Sequence, residues 1–181
     1  MTTYLIRHAQ SQFNAVYNPN QPDPMIFDAP LSELGHTQGI ETRNRISQLD
    51  IHHVIVSPLT RTLQTATLLF GPARKFEINA AVREQLINSC DVGRAPPQLA
   101  TEYPHLDFDH LEDVWWHSGT PDHRGFAVEP DQVLQERAEE FSRFLRDSSA
   151  GNIAVVTHGN FICALTGVKP ENCQIIEFDP Q

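Results

Sequence analysis

The sequence is poor in cysteine, in positive charge and in long apolar runs. Its three cysteines, Cys90, Cys163 and Cys173, are odd in number and widely spaced. They set up neither a disulfide framework nor a CxxC metal motif, and such thiols fit a reducing, cytoplasmic setting. Lys and Arg together number 13 against 23 Asp and Glu, giving a net charge of −10. That balance argues against a nucleic-acid partner or an anionic membrane surface, though not against a small basic pocket. No apolar stretch approaches the roughly 20 residues needed to span a bilayer. The N-terminus has neither the basic segment nor the apolar run of a signal peptide. Repeats and low-complexity tracts are absent too. What remains is a chain of 181 residues, 40% hydrophobic and 20% charged. This is globular composition, with length for one domain, taken as 1–181, and a substantial core.

Short apolar segments at Thr3–Ile6, His53–Val56, Phe76–Ile78 and Ile153–Val156, with Ile175–Phe178 as a fifth candidate, read as strands buried on both faces. Helical stripes fall between them. Leu59, Leu63, Ala66 and Phe70 share one spacing, and Leu134, Ala138, Phe141 and Leu145 repeat it. A third helix is expected from His36 to Leu49, after a turn at Leu31–Gly35. This alternation predicts an α/β fold with a mostly parallel sheet. Residues 14–30 read as a loop. Residues 91–130, rich in Pro, His and Asp, read as an insertion over one edge of the sheet, with short helices of its own.

Ligands of open α/β sheets bind outside the carboxyl ends of the strands. Here those ends carry Arg7-His8, then Ser57-Pro58-Leu59-Thr60-Arg61, then Thr157-His158-Gly159-Asn160. Parallel strands would bring Arg7, His8, Arg61 and His158 to one rim, and the segment Val82-Arg83-Glu84 can reach it. Guanidiniums match phosphate oxygens bidentately. A neutral imidazole can attack phosphorus, and a carboxylic acid can protonate a departing oxygen. The set suits phosphoryl transfer without a metal or other cofactor.

LIRHAQS, SPLTRTLQTA, VREQ and VVTHGNF, in that order, resemble the histidine phosphatase superfamily, in its phosphoglycerate mutase-like branch. The resemblance runs from Tyr4 to about Asn172. It implies a three-layer α/β/α sandwich with a cap over the site. It further implies that His8 is the nucleophile that becomes phosphohistidine, and that Arg7 and Arg61 clamp the phosphate. His158 is then the second histidine, which hydrogen-bonds the phosphoryl group, and Glu84 the proton donor and later the base for water. Asn14 stands where the family often has a pocket asparagine, with Ser11 a further candidate. Two departures stand out. Ala9 replaces the common glycine, and QLINSCDVG lacks the tryptophan-containing motif of many relatives, which makes Asp91 a second candidate for the donor.

The activity expected is metal-independent hydrolysis of a small phosphomonoester. The alternatives are mutase-type transfer, a binding module without turnover, and a metal-dependent hydrolase using the His/Asp run from Pro104 to Asp113. Trp115-Trp116 would either line a substrate pocket or pack the cap on the core.

Overall fold

The computed structural model describes residues 2–180, so the expected span of 1–181 exceeds it by one residue at each end. The apolar segments form β1 (Thr3–Arg7), β2 (His53–Val56), β3 (Glu77–Ile78), β4 (Ile153–Thr157) and β5 (Ile175–Phe178), in the order β3-β2-β4-β1-β5. The first four are mutually parallel and β5 runs antiparallel beside β1. Around the sheet lie α1 (Gln12–Val16), α2 (Glu33–Ile46), α3 (Thr60–Phe70), α4 (Pro96–Glu102), α5 (Asp131–Asp147) and α6 (Gly159–Thr166). No helix among the described residues is long and apolar enough to cross a membrane.

The layers follow from the period of two along a strand. Leu5, Ile55, Ile153 and Val155 point to one face, where they meet Leu134, Ala138, Phe141 and Leu145 of α5 and Phe161 and Ile162 of α6. Ile6, Val54, Val56, Ala154 and Val156 point to the other, against Leu59, Leu63, Ala66 and Leu69 of α3 and Ile46 of α2. Helices therefore cover both faces, as the three-layer sandwich requires. The α3 side also receives Leu99 of α4 and Tyr103, Leu106, Phe108 and Trp115 from the stretch read as an insertion. Gly93 lies under that stretch, where a Cβ would fall 2.2 Å from the Trp115 ring.

α2 begins three residues before the expected His36, because Ser32 caps it by accepting the Gly35 amide at 3.0 Å. It ends at Ile46, three residues before the expected Leu49. Its first turn lies on the strand-end loop: a Cβ at Gly35 would stand 2.0 Å from the Gln10 carbonyl oxygen. Only glycine permits so close an approach.

Candidate active site

The sheet register assembles the site. Arg7 on β1 is level with Thr157 on β4, so the next residues, His8 and His158, are neighbours. Their ring centroids are 5.1 Å apart. β2 ends one residue before Ser57, whose Oγ meets His158 Nε2 at 2.8 Å. The chain then turns into α3, and Arg61, its second residue, points back so that Nε donates to His8 Nε2 at 3.2 Å. His8, Arg61 and His158 are 3%, 2% and 0% exposed, so the rim is a closed interior and not a solvated strand end. Arg7 and Glu84 are its partly exposed members.

Hydrogen bonds set the state of each ring. His8 Nδ1 lies 2.7 Å from the Ala9 carbonyl oxygen, which can only accept. Nδ1 therefore carries the proton, and the lone pair is on Nε2, facing the Arg61 donor. Burial holds the His8 pKa well below the ordinary histidine range, and the charges of Arg61 and Arg7 add to this against the Ala9 carbonyl. His158 is held low by burial and by Arg61, so both rings are neutral near pH 7. Ser57 Oγ accepts from the Leu59 amide at 3.4 Å, and its own hydroxyl hydrogen is free to point at His158 Nε2. His158 Nδ1 is buried and has no partner. Arg7 Nε is buried without a partner as well, while its Nη1 donates to the Pro170 carbonyl at 2.7 Å. Unsatisfied buried polar atoms are costly, and two of the four such side-chain atoms among the described residues belong to this rim.

Two carboxylates complete the set. Glu84 sits over the start of α6, where it accepts the amides of Asn160 and Phe161 at 3.2 Å. Asp91 pairs with Arg61 Nη2 at 2.8 Å, and Arg61 Nη1 donates to the Cys90 carbonyl at 2.6 Å. Arg61 is a cation in the first turn of α3, where the helix dipole disfavours positive charge, and the buried Asp91 offsets this. Burial raises both carboxyl pKa values, and for Glu84 the Asp91 charge adds to it.

Asn14 and Ser11 form a reciprocal cap on α1, each side chain accepting the other's backbone amide at 3.1 Å. Ser57 and Asn172, whose Nδ2 donates to the His8 carbonyl at 2.9 Å, were given no role from sequence. Ser57 stood inside a quoted motif, but Asn172 has no local signal. The run from Pro104 to Asp113 does not converge. Among the described residues no three His, Cys, Asp or Glu side chains gather as a metal site, and His110 Nε2 meets the Ile78 carbonyl at 2.8 Å.

The segment 170–174 closes the floor of the site. The Cys173 amide donates to the Arg7 carbonyl at 3.1 Å and the Arg7 amide to the Gln174 carbonyl at 3.2 Å.

Residues 3–178 match the family model described as histidine phosphatase superfamily (branch 1). The chain is 30% identical to a probable phosphoglycerate mutase GpmB of Cronobacter sakazakii, over all of this chain and 86% of that protein. Among solved structures, it is similar to phosphoglycerate mutase from Bacillus anthracis, with TM-score 0.66, 16% identity and coverage of 98% and 86% of the two chains. It is also similar to a mycobacterial glucosyl-3-phosphoglycerate phosphatase, with TM-score 0.63, 17% identity and coverage of 97% and 91%.

Proposed function

Because the chain belongs to the histidine phosphatase superfamily, we propose that it hydrolyses a small phosphomonoester through a phosphohistidine on His8, without a metal. One observation carries this reading: a neutral His8 whose Nε2 lone pair faces a guanidinium in a closed pocket. In the first half-reaction Nε2 attacks phosphorus, the ester P–O bond breaks, and Glu84 gives its proton to the departing oxygen. The Ala9 carbonyl stays on Nδ1–H and stabilises the positive charge the ring acquires. Arg61 transfers its Nε–H from His8 to a phosphoryl oxygen, and Arg7 Nε–H and His158 Nδ1–H donate to the others. Asn14 Oδ1 is occupied by the Ser11 amide, so its NH₂ is the group available to phosphate. In the second half-reaction water attacks phosphorus, Glu84 takes its proton, and the N–P bond breaks to release inorganic phosphate. We further read 1–181 as one domain whose 91–130 insertion caps the site, in a protein working in the reducing cytoplasm.

The test is phosphate release from p-nitrophenyl phosphate with a chelator present, paired with mass spectrometry of protein quenched in alkali. Turnover together with phosphate on the His8 peptide is the expected result. Turnover without that adduct, or turnover that survives His8→Ala, defeats the mechanism. Tight phosphate binding without turnover means a binding module. The mutase-named relative favours a second reading, transfer back to bound product. With a phosphoglycerate, an isomer as product means mutase and inorganic phosphate means phosphatase.

A further inference from the structure

The two carboxylates beside Arg61 differ in the room they leave for a proton. Asp91 Oδ1 accepts Arg61 Nη2 at 2.8 Å and the Cys90 thiol at 3.4 Å. Its Oδ2 accepts the Asn88 amide at 3.0 Å and the Ile87 amide at 3.3 Å. Two oxygens with four donors are a filled carboxylate, and a proton on either would confront an N–H or S–H. Glu84 is less evenly engaged. Oε1 accepts the amides of Gln85, Asn160 and Phe161, at 3.0, 3.2 and 3.2 Å. Oε2 has only a shared contact to the Asn160 amide, at 3.2 Å. The geometry points to Asp91 as a positioning residue: with both oxygens filled by donors it fixes Arg61 against the His8 lone pair and leaves Glu84 Oε2 as the place for the proton.

The fixing is visible bond by bond. Arg61 directs Nε to His8, Nη1 to Cys90 and Nη2 to Asp91. These use three of the five N–H groups of the guanidinium and leave two for a phosphoryl group, joined by Nε–H once the His8 lone pair is spent on phosphorus. Asp91 is itself held by the turn it closes, Ser89–Asp91, where its amide returns to the Asn88 carbonyl at 3.0 Å. Glu84 is faced by Asp91, by Arg61 from α3, by Arg7 from β1, and by the amides of Gln85 and of α6. Asp91 is faced by Arg61, Cys90 and the Ile87 and Asn88 amides. Removing the Asp91 charge makes Glu84 easier to ionise, so the acid form is lost at lower pH.

This inference rests on the hydrolase reading. Its test is kcat/KM against pH for aryl phosphates of graded leaving-group pKa, in wild type, Asp91→Asn and Glu84→Gln. Asp91→Asn should lower kcat/KM by roughly 10- to 100-fold, less than loss of a donor itself. It should also shift the alkaline limb to lower pH and leave the leaving-group dependence of the low-pH plateau as in wild type. Two results overturn the assignment. In one, Asp91→Asn becomes steeply dependent on the leaving group while Glu84→Gln does not, which makes Asp91 the acid. In the other, the rate falls uniformly with the limb unmoved, which makes Asp91 structural only. Carboxyl carbon NMR of wild type needs neither folding of the variant nor turnover. The Glu84 carboxyl signal, assigned in wild type through its backbone resonances, should titrate above that of Asp91, and the reverse order refutes the proposal. Hydrolysis retained in His8→Ala would instead count against the phosphohistidine mechanism on which that reading rests.

Discussion

Two concave regions of this protein make opposite statements. A groove of about 770 Å³ runs between β3 and the insertion, lined by Ile78, His110, Leu111, Trp115 and Trp116 among others. That volume suits a small ligand, yet most of the polar groups named here are engaged: His110 with Ile78, Glu77 with His53 at 2.7 Å, and the Arg83 Nη groups with Ala80 and Glu129, which leaves Arg83 Nε buried without a partner. At the strand ends, where His8, Arg61 and His158 are buried, there are two neutral histidines, two arginines and two unpartnered buried polar atoms. Volume shows where something fits, whereas unsatisfied polarity shows where an anion would lower the free energy.

The comparison can be broken by substitution. His8→Ala should cost roughly 10⁴-fold or more in kcat, since the remaining ring, His158, has its Nε2 engaged with Ser57. Steady-state rates decide this, and comparable activity would dissolve the contrast. Arg61→Ala should cost roughly 10²–10³-fold. It should also destabilise by about 3–5 kcal/mol, because Asp91 is left charged and buried; urea denaturation read beside kinetics separates the two effects. Trp116→Ala in the groove should change kcat/KM by less than about tenfold. It should cost less than the ~3–5 kcal/mol of a fully buried aromatic. A larger kinetic loss would make the groove part of substrate binding.

The smallest expected effect is on stability against pH. His8 and His158 are held below their unfolded value. Their neutral burial therefore contributes fully above pH ~6.5, and its contribution is lost as pH falls from there toward the folded value. Glu84 and Asp91, shifted upward, act in the opposite sense: their share is present below pH ~4 and lost as pH rises through the folded value. A difference isolates the histidine. Between pH 7 and 5, His158→Gln should lose less stability than wild type, as thermal melts at matched ionic strength would show.

Part of this was legible in the sequence. The strands stand out because each is a short apolar run, and the register then carries His8 to His158 without further information. β5 was found, but its antiparallel sense was not, because reversal depends on the connection from α6 and not on composition. α1 and α6 escaped notice because five and eight residues are too short to show a stripe. The Arg61–Asp91 pair joins residues thirty apart, and a tertiary contact leaves no period to read. The sequence offered Asp91 only as a donor because it shows a carboxyl group but not the four bonds that occupy it.

Pro170, Asn172, Cys173 and Gln174 all bond to Arg7 or His8. These two residues are therefore held by residues made more than 160 positions later. The ribosome releases β1 long before its clasp exists, and until the chain has emerged as far as Gln174, His8 has no finished floor. A chain interrupted before Gln174 would carry the strand-end residues without the segment that holds them.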